Sequence, residues 1–343
     1  MPNDRRDFLK SVGAGAAAVA AIAKVTEQPA EAAFANDKRG FAAGKFALEL
    51  DGVHAGWIHS AEGGHAYADV VTEKQGPDGI VHKHLAGVKY EDIAITCGAG
   101  MSKAFFEWIQ STLQHKFERK DGAIVATDFN FNSMTVLKFS QALISEIGFP
   151  ALDGSSKEAA KLTLKFSPEL TEYKHTVGAP IIDDPSDLKQ KKWLVSNFRF
   201  KIDGLDESSN RVGKIEAITI KQKVVENPVG ENRDFDTTTS LDFSNLKITL
   251  PEHNAEDLFG WFEDFVIKGN DTQDKERTGT LEYLTPDLKT TLFALDFHQV
   301  GIFKLTPDDF TPDNSDKLRK VSAEMYVEEI KFRSPLLPPP NGD

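Results

Sequence analysis

Phe46-Ala47-Leu48-Glu49-Leu50-Asp51-Gly52 places apolar side chains at every second position and ends in a turn dipeptide, the pattern of a half-buried strand entering a tight turn. The same pattern returns as Phe198-Arg199-Phe200-Lys201-Ile202-Asp203-Gly204. Further along, Tyr90-Glu91-Asp92-Ile93-Ala94-Ile95-Thr96 corresponds to Phe243-Ser244-Asn245-Leu246-Lys247-Ile248-Thr249, again with period 2. Period 2 then gives way to helical spacing in each half. In the first, Ser102 is placed to cap a run whose apolar stripe is Phe105, Trp108, Ile109, Leu113 and Phe117. In the second, Asn254 precedes Leu258, Trp261, Phe262, Phe265 and Val266. The intervals from Asp51 to Trp108 and from Asp203 to Trp261 differ by one residue, so Trp108 and Trp261 are read as equivalent core positions of two helices.

Both halves also finish alike. Thr127 to Leu137 and Gly279 to Phe297 read as hairpins, followed by a loop rich in Pro, Asp or Gly and a last strand, 161–166 in one half and 320–327 in the other. The chain is therefore read as mainly β, with one packed α-helix per domain and two tandem antiparallel β-sandwich or barrel domains at 45–174 and 195–334. A linker spans 175–194, its exposed part from Thr176 to Lys192 carrying Gly178, Pro180 and Pro185. Residues 335–343 hold four prolines, which cannot join a sheet, and are expected to form a loose tail.

Composition agrees with two soluble domains. The chain has 343 residues, 40% of them hydrophobic, and its 24 phenylalanines require burial. A net charge of −13 argues against a role in coating nucleic acid or anionic membranes, which needs clustered Lys and Arg. The single cysteine, Cys97, excludes an intramolecular disulfide, and its place in an alternating strand makes it a packing residue rather than a nucleophile.

The N-terminus carries Arg5, Arg6, Phe8 and Leu9 ahead of an Ala/Gly/Val stretch from Val12 to Ala23, then small-residue patterns at Ala30-Glu31-Ala32 and Ala33-Phe34-Ala35. This order resembles a twin-arginine export signal over 1–35 and implies an exported, periplasmic or extracellular protein. The stretch is too short and too rich in small residues to span a membrane. A cytoplasmic or virion location is the alternative.

The residues around Asp51-Gly52, Gly63 and Gly64, the phrase Leu85-Ala86-Gly87-Val88-Lys89-Tyr90-Glu91-Asp92-Ile93 and the helical Phe106-Glu107-Trp108-Ile109 together resemble the tail tube protein family of contractile phages, which is related in fold to type VI secretion tubes. The second half has Leu241-Asp242-Phe243-Ser244 in place of that phrase and lacks the Gly-Gly pair. The resemblance implies a structural, non-enzymatic subunit that assembles with itself into rings or tubes, and with other tail-like components. Two domains per chain imply either three chains in a pseudo-sixfold ring or six chains in two tiers. A twin-arginine signal departs from the family pattern. The alternative is therefore an exported monomeric β-rich binding protein that keeps the fold without polymerising.

Assembly segments are expected at Trp57 to Lys83, around Gly63 and Gly64, at Tyr90, and at Arg211 to Thr239, which contains Asn227 and Gly230. His82 and His84 share a strand face and His65 lies nearby. Without a cysteine or fixed carboxylate spacing these read as a polar face, so no metal and no cofactor is assigned. The acidic clusters at Asp183-Asp184, Asp308-Asp309 and Asp313 to Asp316 lack the spacing of a calcium loop. No phosphate-binding glycine loop, G-x-S-x-G or H-E-x-x-H motif occurs.

Overall fold

The computed structural model describes residues 44–73, 81–175, 178, 193–229, 232–309 and 318–338. The signal at 1–35, nearly all of 176–192, Gly230 and the last five residues lie outside these. In the first half the strands are β1 (Lys45–Leu50), β2 (Val53–Gly63), β3 (Ala66–Glu73), β4 (His82–Tyr90) and β5 (Ile93–Cys97), followed by helix α1 (Lys103–Leu113). They continue with β6 (Lys120–Thr127), β7 (Ser133–Phe149), β8 (Leu152–Asp153), β9 (Leu162–Ser167) and β10 (Leu170–His175). The second half holds β11 (Phe198–Ile202), α2 (Asp206–Ser209), β12 (Lys214–Ile215), β13 (Ile218–Val229), β14 (Asn232–Phe243), β15 (Leu246–Pro251), α3 (Glu256–Phe262), β16 (Arg277–Leu284), β17 (Thr291–Pro307) and β18 (Lys320–Arg333). The protein is mainly β, and all its strand pairs are antiparallel.

Six strands of the first half close a barrel in the order β1, β2, β5, β9, β7, β6 and back to β1. Closure removes free sheet edges, and the alternating residues Leu48, Leu50, Ile93, Ile95 and Phe166 fill the interior. The second half runs β12, β15, β18, β17, β16, β11 in the corresponding order, but β11 and β12 do not pair. Whereas Asp51-Gly52 turns β1 directly into β2, Asp203-Gly204 leads into α2, whose Ser209 Oγ accepts the Ile202 N–H at 3.0 Å and covers the strand edge.

The halves also exchange strands. β8, from the first, pairs with β12, while β13, from the second, pairs with β7. The 17-residue β7 accommodates this by taking β6 and then β13 along one edge, and β10 and then β9 along the other.

Helix α1 lies between the two sheets. One side packs on the first barrel, with Trp108 against Phe166 at 5.4 Å between ring centroids. The other side meets the second half, where Phe106 stacks on Phe332 at 5.8 Å and Gln110 Nε2 donates to the Phe332 carbonyl at 3.3 Å. Phe293 gathers the aromatic seam, with ring centroids within 6.2 Å of Phe106, Phe149, Trp193, Tyr283 and Phe332.

Several sequence expectations change in detail. Phe117 has left the helix and adopts φ 43°. Ser102 holds the N-cap position without a side-chain cap bond, its N–H being taken by the Ala55 carbonyl. α3 starts after Ala255 rather than Asn254, and Val266, in the π-helical turn that follows it, is exposed. The last two residues of the expected linker, beyond its exposed part, join the fold: Trp193 is buried and Leu194 bridges to Ala159. The expected tail begins later too, because Leu337 is buried against the core in a turn closed by its N–H to the Ser334 carbonyl. Proline lacks the N–H a sheet ladder needs, but it does not stop a neighbouring leucine from filling a gap.

Candidate assembly interface

Between the second and fifth strands of the first barrel the chain leaves to form a two-stranded arm, β3–β4, which pairs with no other strand among the described residues. Its base is set by glycine. Gly63 and Gly64 adopt φ 83° and 77°, and a Cβ on Gly63 would stand 2.0 Å from the Asp92 carbonyl oxygen. The turn is tied by Glu91 N–H to His65 C=O at 3.0 Å and by Thr171 Oγ1 to Gly64 C=O at 2.7 Å. Beyond this hinge the arm is apolar and uncovered: Val70 is 60% exposed, Leu85 70% and Val88 55%. Tyr90 ends the arm opposite Ala66. An isolated hairpin is marginally stable in water, and an apolar one invites a further partner.

The second half carries an arm, β13–β14, at the same topological place. Three features align the two. Ser244 N–H donates to Thr219 C=O as Glu91 does to His65; Ile220 faces Phe243 as Ala66 faces Tyr90; and the register slips after Gln222 as it does after Ala68. The environments differ. The base of β13 lies on β7 through Ile218–Phe149, Thr219–Gly148, Ile220–Ile147 and Lys221–Glu146, so Ile218, Ile220 and Gln222 are buried. Lys221 Nζ sits 3.9 Å from Glu146, in a polar groove also lined by Lys165 and Lys223. Asn227 lies further out on this arm and faces Asp234.

The histidines stay on the first arm. His82 and His84 are both on β4, exposed, with His84 Nδ1 3.8 Å from Glu73. His65 is at the hinge. Among the described residues no group of three or more His, Cys, Asp or Glu is placed to hold a metal ion. Cys97 faces the barrel interior with no exposure, and burial pushes its thiol up to about 12, so it remains protonated at neutral pH. No described helix is long and apolar enough to cross a membrane.

The sequence places both arms but not their contrast, because Val70 and Val224 have similar neighbours in sequence and differ only in what lies across from them. Phe106 escapes a stripe-based reading for the same reason: it stands off the face that meets its own barrel.

Residues 42–170 match the family model for the T4-like virus tail tube protein gp19. That segment is the first barrel with its arm. No curated protein matches the chain. Among solved structures, the chain is similar to the tube-terminating cap of the anti-feeding prophage, at 20% identity over 42% of this chain and 98% of that one, TM-score 0.37. It is likewise similar to the PVC sheath–tube complex of an extracellular contractile injection system, at 17% identity over 41% and 95%, TM-score 0.36. A third is Hcp1 from Flavobacterium johnsoniae, at 19% identity over 38% and 96%, TM-score 0.24.

Proposed function

We propose that this protein is a structural, non-enzymatic, tail-tube-like subunit that assembles with itself into rings or tubes. The observation that carries the reading is the contrast between the arms: one has its base covered by β7 inside the chain, while its counterpart pairs with no other described strand and leaves an apolar surface uncovered. The family match over 42–170 supports the same reading for the first barrel. The corresponding strand order in the second half supports a tandem pair of tube-like domains. Gly63, Gly64 and Tyr90 then belong to the arm that joins chains, and Asn227 to the arm whose base joins the halves. With two tube-like domains per chain, three chains give a pseudo-sixfold ring; other tail-like components stack on its ends.

Negative-stain electron microscopy with mass photometry on the mature chain tests this. Rings or tubes with the mass of three chains per ring are expected. A monomer at every concentration would leave an exported monomeric binding protein instead.

Export by Arg5 and Arg6 is part of the proposal. Changing both to lysine (R5K/R6K) is expected to hold the precursor in the cytoplasm, because twin-arginine signals depend on the pair. Undiminished export of that variant, read by cell fractionation, would remove the signal from the account.

A further inference from the structure

The contact between the two halves describes a second contact that a single chain cannot make. In β7, Glu146 follows a register slip and faces Lys165 of β9; in β17, Lys304 follows the same slip and faces Glu324 of β18. Gln141 and Gln299, with φ 52° and 51°, stand at matching places before these slips. Lys304–Pro307 is therefore the counterpart of Glu146–Phe149, the segment that receives β13. Ile147 and Phe149 are each 1% exposed under that strand. Past β16, no described strand lies on the corresponding edge of β17, and Phe303 beside it is 41% exposed.

The same holds for the helices. Phe106 of α1 stacks on Phe332. Counting from the equivalent tryptophans, its counterpart in α3 is Phe259, 36% exposed. Phe332 faces Leu295, and Tyr173, facing Leu137, is its counterpart at 58% exposure. The giving and receiving surfaces used inside the chain thus recur, uncovered, at its two ends.

We infer that the β3–β4 arm and Tyr173 of one chain dock on the Lys304–Pro307 edge and Phe259 of a second copy of the same chain. Charge supports this pairing. Inside the chain, Glu146 of the receiving strand faces Lys221, with Lys223 two residues on. In the proposed contact the same register would set Lys304 opposite Tyr67, with Asp69 in the place of Lys223, so the opposite charge stands two residues on rather than directly across. Asp69 now binds Lys89, and Lys304 binds Glu324 at 3.0 Å, so both are charged groups at the edge that can share a further partner. The exchange also separates the two contacts. If a β3–β4 arm took the place of β13, Tyr67 would stand opposite Glu146 with Asp69 two residues on, and like charges that close along a pairing edge oppose docking. The surface is heterologous, and a heterologous contact generates a ring when its rotation closes.

This inference rests on the self-assembly proposed above, and a charge exchange tests it separately. Lys304→Glu and Asp69→Lys are each expected to raise the concentration for half-assembly roughly tenfold or more, with the double variant K304E/D69K restoring it toward the native value. Phe259→Asp, at an exposed position, is expected to weaken assembly without changing the thermal unfolding of the monomer. Circular dichroism of each variant separates loss of contact from loss of fold. A native chain that never assembles overturns the ring reading itself. A native chain that assembles while both charge variants and Phe259→Asp leave it unchanged overturns this interface alone.

Discussion

Phe293→Ala is expected to lower stability by about 3–5 kcal/mol, the usual cost of emptying a phenylalanine site in a packed core, and the thermal midpoint by roughly 10 °C. The size of the effect follows from position. Phe293 is 1% exposed and touches rings supplied by α1, β7, the segment before β11, β16 and β18, so its removal opens a cavity where the two halves meet. The strand-borne neighbours Phe149, Tyr283 and Phe332 cannot move inward without straining strand pairs. Phe129→Ala, at a site 77% exposed, is the control and is expected to change little. Calorimetry showing equal midpoints for the two variants would mean that the seam does not hold the halves together.

Gly63→Val is expected to be the most damaging single change at the arm. The left-handed backbone there costs about 1–3 kcal/mol for a residue with a side chain, and valine, branched at Cβ, tolerates it poorly. The new Cβ would also strike the Asp92 carbonyl. The hinge bonds at His65 and Gly64 should then open, and amide exchange along β3 and β4 should quicken even where the barrel stays folded. Gly87→Val makes the comparison, since nothing lies within 4 Å of its Cβ position and valine suits a strand. Slow exchange in the Gly63 variant would show that the glycine turn does not set the arm.

Local pattern carried much of this architecture. The alternation at Phe46, Leu48 and Leu50 marks β1, that at Phe198, Phe200 and Ile202 marks β11, and the spacing around Trp108 and Trp261 marks the two main helices. Periodicity reports which face of an element is apolar, and apart from α1 these elements have one dominant buried face. It says nothing about which distant strand lies alongside. Hence the closure of the first barrel, the unpaired β11 and β12, and the exchange of β8 and β13 could not be read from it. α1 is buried on two sides, so Phe106 looks off-pattern. Phe117 extends the helical spacing on paper, but the chain has already turned at His115, φ 58°. Leu337 sits in a proline run whose composition suggests a free end, and only the space beside the seam explains its burial. For the proposed interface, the Gly63-Gly64 pair stood out in the sequence, but not its left-handed backbone. The receiving edge did not, since the hairpin was expected to end at Phe297 with a loop after it, whereas β17 runs on to Pro307.

The exchange of strands between the halves reaches back to how the protein is made. A ribosome delivers Phe149 well before Ile218, so the end of β7 must wait for a strand that does not yet exist, and β8 waits likewise for β12. Long sequence separation between paired strands slows folding, because the closing loop loses entropy before any contact compensates it. The nascent first barrel therefore presents an open ribbon edge during synthesis, and its maturation is tied to synthesis of the chain through β12 and β13 rather than to its own length.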